Sequence, residues 1–244
     1  MAIPYPQVRV QVALRSGQLD GSDQTTLEAA YTGAWATAID GAELPITAIR
    51  DTILAVEKEL AHIVASNASH PYRDSLYGIS ASLADNALIP TVDATSKAFI
   101  GLFSGVTDTT DSKPLTEMPV QIVDDTATLG ASIYPDTEFY YYCFSGNRIR
   151  HTRTNVKISG CVWDRTTQLA QYALSNGNSP LPQVLENTLI AGVLASLPQV
   201  AGFFMAESGY YASVYQSGIA MLSSGAVTAA SLPDNTANAV PAKN

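Results

Sequence analysis

Residues 138–163 read EFYYYCFSGNRIRHTRTNVKISGCVW. Phe139, Tyr140, Tyr141, Tyr142, Cys143 and Phe144 precede a turn signal, and Val156, Ile158, Val162 and Trp163 follow it. Aromatic and β-branched side chains favour the pleated surface of a strand. Ser145-Gly146-Asn147 supplies residues that tolerate positive φ, as a tight turn requires. The run predicts a β-hairpin. In its second arm Arg148, Arg150 and Thr152 fall on one face, and Ile149, His151 and Arg153 on the other. The arm therefore carries Arg148, Arg150, Arg153 and Lys157 out of a chain whose net charge is −9. A basic, aromatic-rich hairpin in an acidic chain points to a docking surface more than to a catalytic pocket.

The 244 residues suffice for one large or two small domains, with a hydrophobic fraction that allows a core. Only 14% of the residues are charged, against roughly 25% in a typical soluble domain. A subunit that buries surface against copies of itself has less need of charge. The acidic balance argues against general coating of nucleic acid, which needs local positive charge. It still permits an acidic lumen past which DNA slides. Cys143 and Cys161 lie on predicted strands and give neither a disulfide framework nor a metal-ligand spacing, so two buried thiols are expected. Met1–Val12 has prolines at 4 and 6 and no long apolar stretch, so neither a signal peptide nor a disulfide is expected.

Outward from the hairpin, Val8, Val10 and Val12 alternate as in a short strand. Asp23 or Ser22 caps an expected helix reaching Trp35–Ile39, broken by Gly41–Pro45. The clearest helix follows, with Ile46, Ile49, Ile53, Val56, Leu60 and Ile63 on one stripe and Arg50, Asp51, Glu57, Lys58 and Glu59 mostly elsewhere. Residues 66–98 read as a long ordered loop with short strands. Strands are expected at Ala98–Phe103 and Pro119–Val123, with loops at Thr107–Pro114 and Asp124–Pro135. Asp164 caps a helix from Arg165 to Leu174, and a further helix runs from Gln183 to Leu197, stopped by Pro198. A last helix is expected between Val200 and Ser223. The fold class expected is α+β, with N-terminal and C-terminal helices packed around a small antiparallel β region bearing a projecting hairpin. The expected organisation is one domain, 1–232, with a helical body at 22–66 and 164–223, a loop and β region at 67–163, and a disordered tail at 233–244.

Residues 187–232 hold a single charged side chain, Glu207. A membrane span is disfavoured by Pro198, Gln199 and the many small and polar residues. Burial in the core and contact with a partner are both open, and a docking arm is expected, with Phe203, Phe204, Tyr210, Tyr211 and Tyr215 as its candidate contacts.

The histidines, His62, His70 and His151, show no zinc-binding spacing, and no nucleophile elbow, P-loop or dinucleotide fingerprint is present. Asp124-Asp125 and Asp108/Asp111 read as solvated loop edges. A hydrolase using Ser75 or Asp74 lacks a recognisable base, so no enzymatic activity, cofactor or metal is expected. The basic set Arg148, Arg150, His151, Arg153 and Lys157 remains. It is either a hairpin face paired with carboxylates of its own subunit, or a contact with a neighbouring subunit or DNA.

Four phrases carry a resemblance: HPYRDSLYGIS (70–80), KAFIGLFSGVTDTTDSKPLTE (97–117), FYYYCFSGNRIRHTRTNVKISGCVWDR (139–165) and LPQVLENTLIAGVLASLP (181–198). In this order the chain resembles, from about residue 20 to 198, the head-to-tail adaptor (connector) proteins of tailed bacteriophages, particularly those of short-tailed phages. The resemblance implies a structural virion protein in the neck of the particle, made in the host cytoplasm. It implies a twelve-subunit ring joining the portal protein to the tail or nozzle protein, in transient contact with passing DNA and with no membrane. A tail terminator or gatekeeper is the alternative expectation.

Overall fold

The computed structural model describes residues 2–39, 44–130, 138–202, 205 and 207–224. The fold is α+β. Contacts divide the chain into two compact units, residues 1–75 with 164–244, and residues 76–163.

The first unit is helical. β1 (Ala2–Pro4) leads into α1 (Tyr5–Arg15). The strand expected at Val8–Val12 is thus a helix. Pro6 sits in the first turn, where a missing N–H costs nothing. The alternating valines misled because this helix is buried on several sides, with Val8, Val10, Val12 and Ala13 all inside. Burial on several faces removes the meaning of a two-residue period, and packing overrides the weak β-propensity of valine. Arg9 is buried with them. Its Nε and Nη2 donate to the carbonyls of Ala30 (3.1 Å) and Tyr31 (3.3 Å), and its Nη1 to that of Tyr172 (3.0 Å). These carbonyls lie in the last turns of α2 (Gln24–Thr32) and α6 (Arg165–Ala173), where a cation meets the negative ends of two helix dipoles.

Asp23 caps α2, its Oδ1 accepting from Thr25 N–H at 2.9 Å and Thr26 N–H at 3.2 Å. The helix expected to reach Ile39 breaks at Gly33, which takes φ +99, and α3 (Trp35–Ala38) begins afresh. The breaker expected at Gly41–Pro45 lies mostly outside the described residues. α4 (Ile46–Ser66) buries Ile49, Ile53, Val56 and Leu60 as the periodicity predicts. It is also buried beyond that stripe, and Glu57, expected on the polar side, is fully enclosed. The Tyr5 hydroxyl donates to Glu57 Oε2 at 2.5 Å and has Gln168 Oε1 at 3.0 Å, which is how the core accommodates a carboxyl.

Asp164 Oδ2 accepts from Thr167 N–H at 2.6 Å and so caps α6. Asn178–Pro182, expected as a breaker and a helix entry, is instead β9, antiparallel to β1. Its prolines are tolerated because this two-stranded sheet consists of edges. α7 (Glu186–Ala201) runs past Pro198 to Gly202, at φ +67. A proline in the last turn removes one backbone bond and leaves the preceding turns intact. α8 (Ser208–Ser223) starts later than expected and packs on α7. Leu189, Ile190, Val193, Leu194 and Leu197 of α7 are buried, as are Tyr211, Tyr215 and Leu222 of α8, so these two helices are core of their unit rather than an arm. The expected tail at 233–244 lies outside the described residues.

The second unit carries two sheets. Strand β8 (Val156–Trp163) runs between β2 (Tyr77–Ile79) and β4 (Ala98–Asp108). The other sheet has the order β3 (Ala87–Leu88), β7 (Arg148–His151), β6 (Tyr141–Ser145), β5 (Thr116–Glu117). β4 is longer than expected and bulges between Ile100 and Phe103, where Gly101 takes φ +68. The strand expected at Pro119–Val123 is α5 (Val120–Asp125), entered through Pro119, with only Val123 fully buried. The core holds Val106, Leu115, Tyr142, Ile149, Val156 and Ile158, with Phe103 and Phe144 packed against it.

Candidate contact surface

The hairpin turns on Gly146-Asn147, with Ser145 opposite Arg148. Positive φ falls at Gly146 alone, the type II′ pattern. Tyr142 faces His151, Cys143 faces Arg150 and Phe144 faces Ile149. The alternation read from the sequence holds from Arg148 to His151. It does not continue as one arm. After His151 the chain leaves the sheet, and Val156–Trp163 pairs in the other one. Nor does the hairpin stand out as a free projection, because β7 and β6 lie between β3 and β5.

Each candidate cation has its own surroundings. Arg148 is exposed and its Nη1 donates to the Asn86 carbonyl at 2.6 Å. Arg150 joins two elements to β7. Its Nε lies 3.3 Å from Asp85 Oδ1, and its Nη2 is 2.7 Å from Asp124 Oδ1 on α5. The second contact is an ion pair by distance, off the axis of a hydrogen bond. Asp85 Oδ1 also accepts the His151 N–H at 2.9 Å. Arg153 Nε donates to Asp108 Oδ2 at 2.5 Å, and its guanidinium lies 4.4 Å from the centre of the Tyr140 ring. Burial pushes the Asp108 carboxyl up, but the Thr110 N–H and Arg153 outweigh it and hold the group below the usual range. Around Tyr140 the network continues. Its hydroxyl is 2.5 Å from Asp111 Oδ2 and 2.6 Å from Glu138 Oε2, and accepts from Lys113 Nζ at 3.0 Å. The Tyr140 hydroxyl, assisted by the Lys113 backbone and side chain, holds Asp111 down at about 2.

Three expectations change as a result. The carboxylates at 108, 111 and 124, read as solvated edges, are partners of the basic arm or of Tyr140. Arg150 and Arg153 are tied within their own unit and are not free contacts. His151 is 2% exposed and faces inward, with both ring nitrogens unpartnered, so it presents nothing to an outside partner. Among the described residues Arg148 and Lys157 have no carboxylate partner. The whole unit 76–163 carries nine carboxylates against six Lys and Arg, a balance of −3. It is no basic patch.

Of the aromatic candidates, Tyr210 is 45% exposed, whereas Tyr211 and Tyr215 are each 7% exposed and face inward from α8. The latter two cannot form a docking face on this chain. Phe203 and Phe204 lie outside the described residues. Gly192 of α7 lets Tyr215 approach, since a Cβ there would lie 2.6 Å from Tyr215 Cε2.

Ser75 Oγ donates to the Tyr72 carbonyl at 2.8 Å. The ring nitrogens of His70 are engaged by Tyr72 N–H and the Leu222 carbonyl, not by Ser75 or Asp74. Cys143 and Cys161 are buried and not joined in a disulfide, and burial raises the Cys143 thiol. Among the described residues no cluster of His, Cys, Asp or Glu has the arrangement of a metal site, and no helix is long and apolar enough to cross a membrane. No protein-family model matches the chain, and no curated protein matches it.

Proposed function

We propose that this chain is a structural component of a phage virion, a head-to-tail adaptor that assembles into a ring between portal and tail and lets DNA pass. The observation that carries the reading is the ordered resemblance of residues 70–80, 97–117, 139–165 and 181–198 to that family. The geometry supports it in two ways. The most distinctive of these phrases, 139–165, contributes strands to both sheets of its unit and is held by ion pairs to Asp85, Asp108 and Asp124. A pre-stiffened element suits a ring, because assembly then orders few side chains at the moment of contact. The negative balance of the same unit suits a surface that DNA moves past without adhering, since phosphate binding requires unneutralised cations. The partners proposed are copies of the chain, a portal protein and a tail or nozzle protein, with no membrane. Arg148, Lys157 and Tyr210 are the candidates left exposed or unneutralised for those contacts.

The test is the particle mass of the purified chain, alone and mixed with its portal. A ring, or a monomer that rings only on the portal, supports the reading. A monomer that stays monomeric beside the portal opposes it.

A further inference from the structure

His70 lies in the turn that follows α4 and is 4% exposed. Its Nδ1 accepts the Tyr72 N–H at 3.2 Å, and its Nε2 is 3.2 Å from the carbonyl oxygen of Leu222, in the last turn of α8. A carbonyl only accepts, so Nε2 carries a proton. A backbone N–H only donates, so Nδ1 is bare. One species meets both demands, the neutral Nε2–H tautomer. A second proton, on Nδ1, would face the Tyr72 N–H with another donor and break that bond.

We propose that His70 is a proton-operated latch, which when neutral ties the C-terminal end of α8 to the turn after α4 and when protonated lets it go. Beyond the Leu222 carbonyl, which favours the charged ring, no carboxylate is ion-paired with His70 among the described residues. Arg73, in the same turn, is cationic and donates through Nη1 to the Ala65 carbonyl at 2.8 Å. Asp74, next to it, is exposed, as are Lys58, Glu59 and His62 on α4. The Tyr72 ring lies 5.5 Å away, centre to centre. No charged side chain exists anywhere on α8. Burial accordingly depresses the His70 pKa below the usual 6.5, against the Leu222 carbonyl and with help from Arg73. The released ring titrates near 6.5 and the latched ring below it, so the open form takes up its proton first as the pH falls. The latch is tight above about pH 6.5. Below that, opening rises by up to about tenfold per pH unit until the latched pKa is reached.

The experiment is amide hydrogen exchange of residues 219–224 in the full chain between pH 7.5 and 5.5, corrected for intrinsic exchange. Protection is expected to be constant above pH 6.5 and to fall several-fold to tenfold below it. His70→Gln keeps a neutral N–H donor and cannot titrate, so its protection should not change with pH. Constant protection in the wild type across the range would overturn the latch, as would the same acid loss persisting in His70→Gln. Should that variant not fold, the imidazole NMR titration of the wild-type chain decides. A His70 pKa below 6.5 supports the latch, and one at or above 6.5 overturns it. His151, also buried, belongs to the other unit and is read from other amides.

Discussion

Replacing Gly192 by alanine asks directly whether residues 187–224 are core. Taken as an exposed helix, α7 gains from the change, because alanine is better than glycine in a helix interior by about 1 kcal/mol. The structure gives the opposite sign. A Cβ at 192 would lie 2.6 Å from Tyr215 Cε2, 2.7 Å from its Cδ2 and 2.7 Å from Val56 Cγ1. Ordinary carbon contacts begin about an ångström further out. α8 carries one neighbour and α4 the other, so relief toward one side worsens the other. Overpacking of this kind costs typically about 1–3 kcal/mol. Contacts this short on two sides belong in the upper half of that range, about 2–3 kcal/mol; less the helical gain, the expected net loss is roughly 1–2 kcal/mol, or a fall in Tm of about 2–8 °C for a chain of this length. Urea and thermal unfolding followed by far-ultraviolet circular dichroism measure it. Gly209, at the start of α8, is the control, since a Cβ there meets nothing within 4 Å. Gly209→Ala should be neutral or stabilising by up to about 1 kcal/mol. A Gly192→Ala protein as stable as the wild type, or more so, would refute the packing of α7 between α4 and α8.

Asp108 titrates below the ordinary carboxylate range in the folded state, so its contribution to stability is present above about pH 4 and is lost as the pH falls through the folded value; Asp108→Asn should be less stable at neutral pH and show a flatter acid limb in a pH series of unfolding midpoints. Arg150→Ser should destabilise the 76–163 unit by separating α5 and the Asp85 turn from β7, whereas Arg148→Ser should leave the unfolding midpoint unchanged and, on the proposed function, reduce assembly on a portal, the two read by denaturation and by sedimentation. Cys143 and Cys161 should resist a thiol reagent in the native protein and react fully in denaturant, as a colorimetric titration would record.

The features legible in the sequence are those set by neighbours in the chain. Gly146 announces the turn, Asp23 and Asp164 announce helix starts, and the period from Ile49 to Leu60 announces α4. The misread elements are those whose pattern is overruled by distant packing. α1 wears a strand's alternation because it is enclosed on several sides, and the valines and isoleucine of α5 follow a proline that opens a helix turn. β9 hides behind Asn-Gly and two prolines because it pairs with the far N-terminus. The surface was the least legible part. The cations at 148–153 were plain, but the carboxylates that neutralise Arg153 and Arg150 lie 45 and 65 residues away in sequence. Charge pairing across such separations leaves no periodic trace. Tyr211 and Tyr215 read as aromatic contacts because the sequence does not reveal which face of α8 meets α7.

Whether the chain assembles into a ring with a portal, as proposed, is decided by native mass spectrometry of the purified 244-residue protein, alone and mixed with a phage portal ring. A closed oligomer is expected in the mixture, with the chain alone either a monomer of 25.8 kDa or the same ring. Chain and portal remaining as separate species, with the chain a monomer throughout, would contradict it.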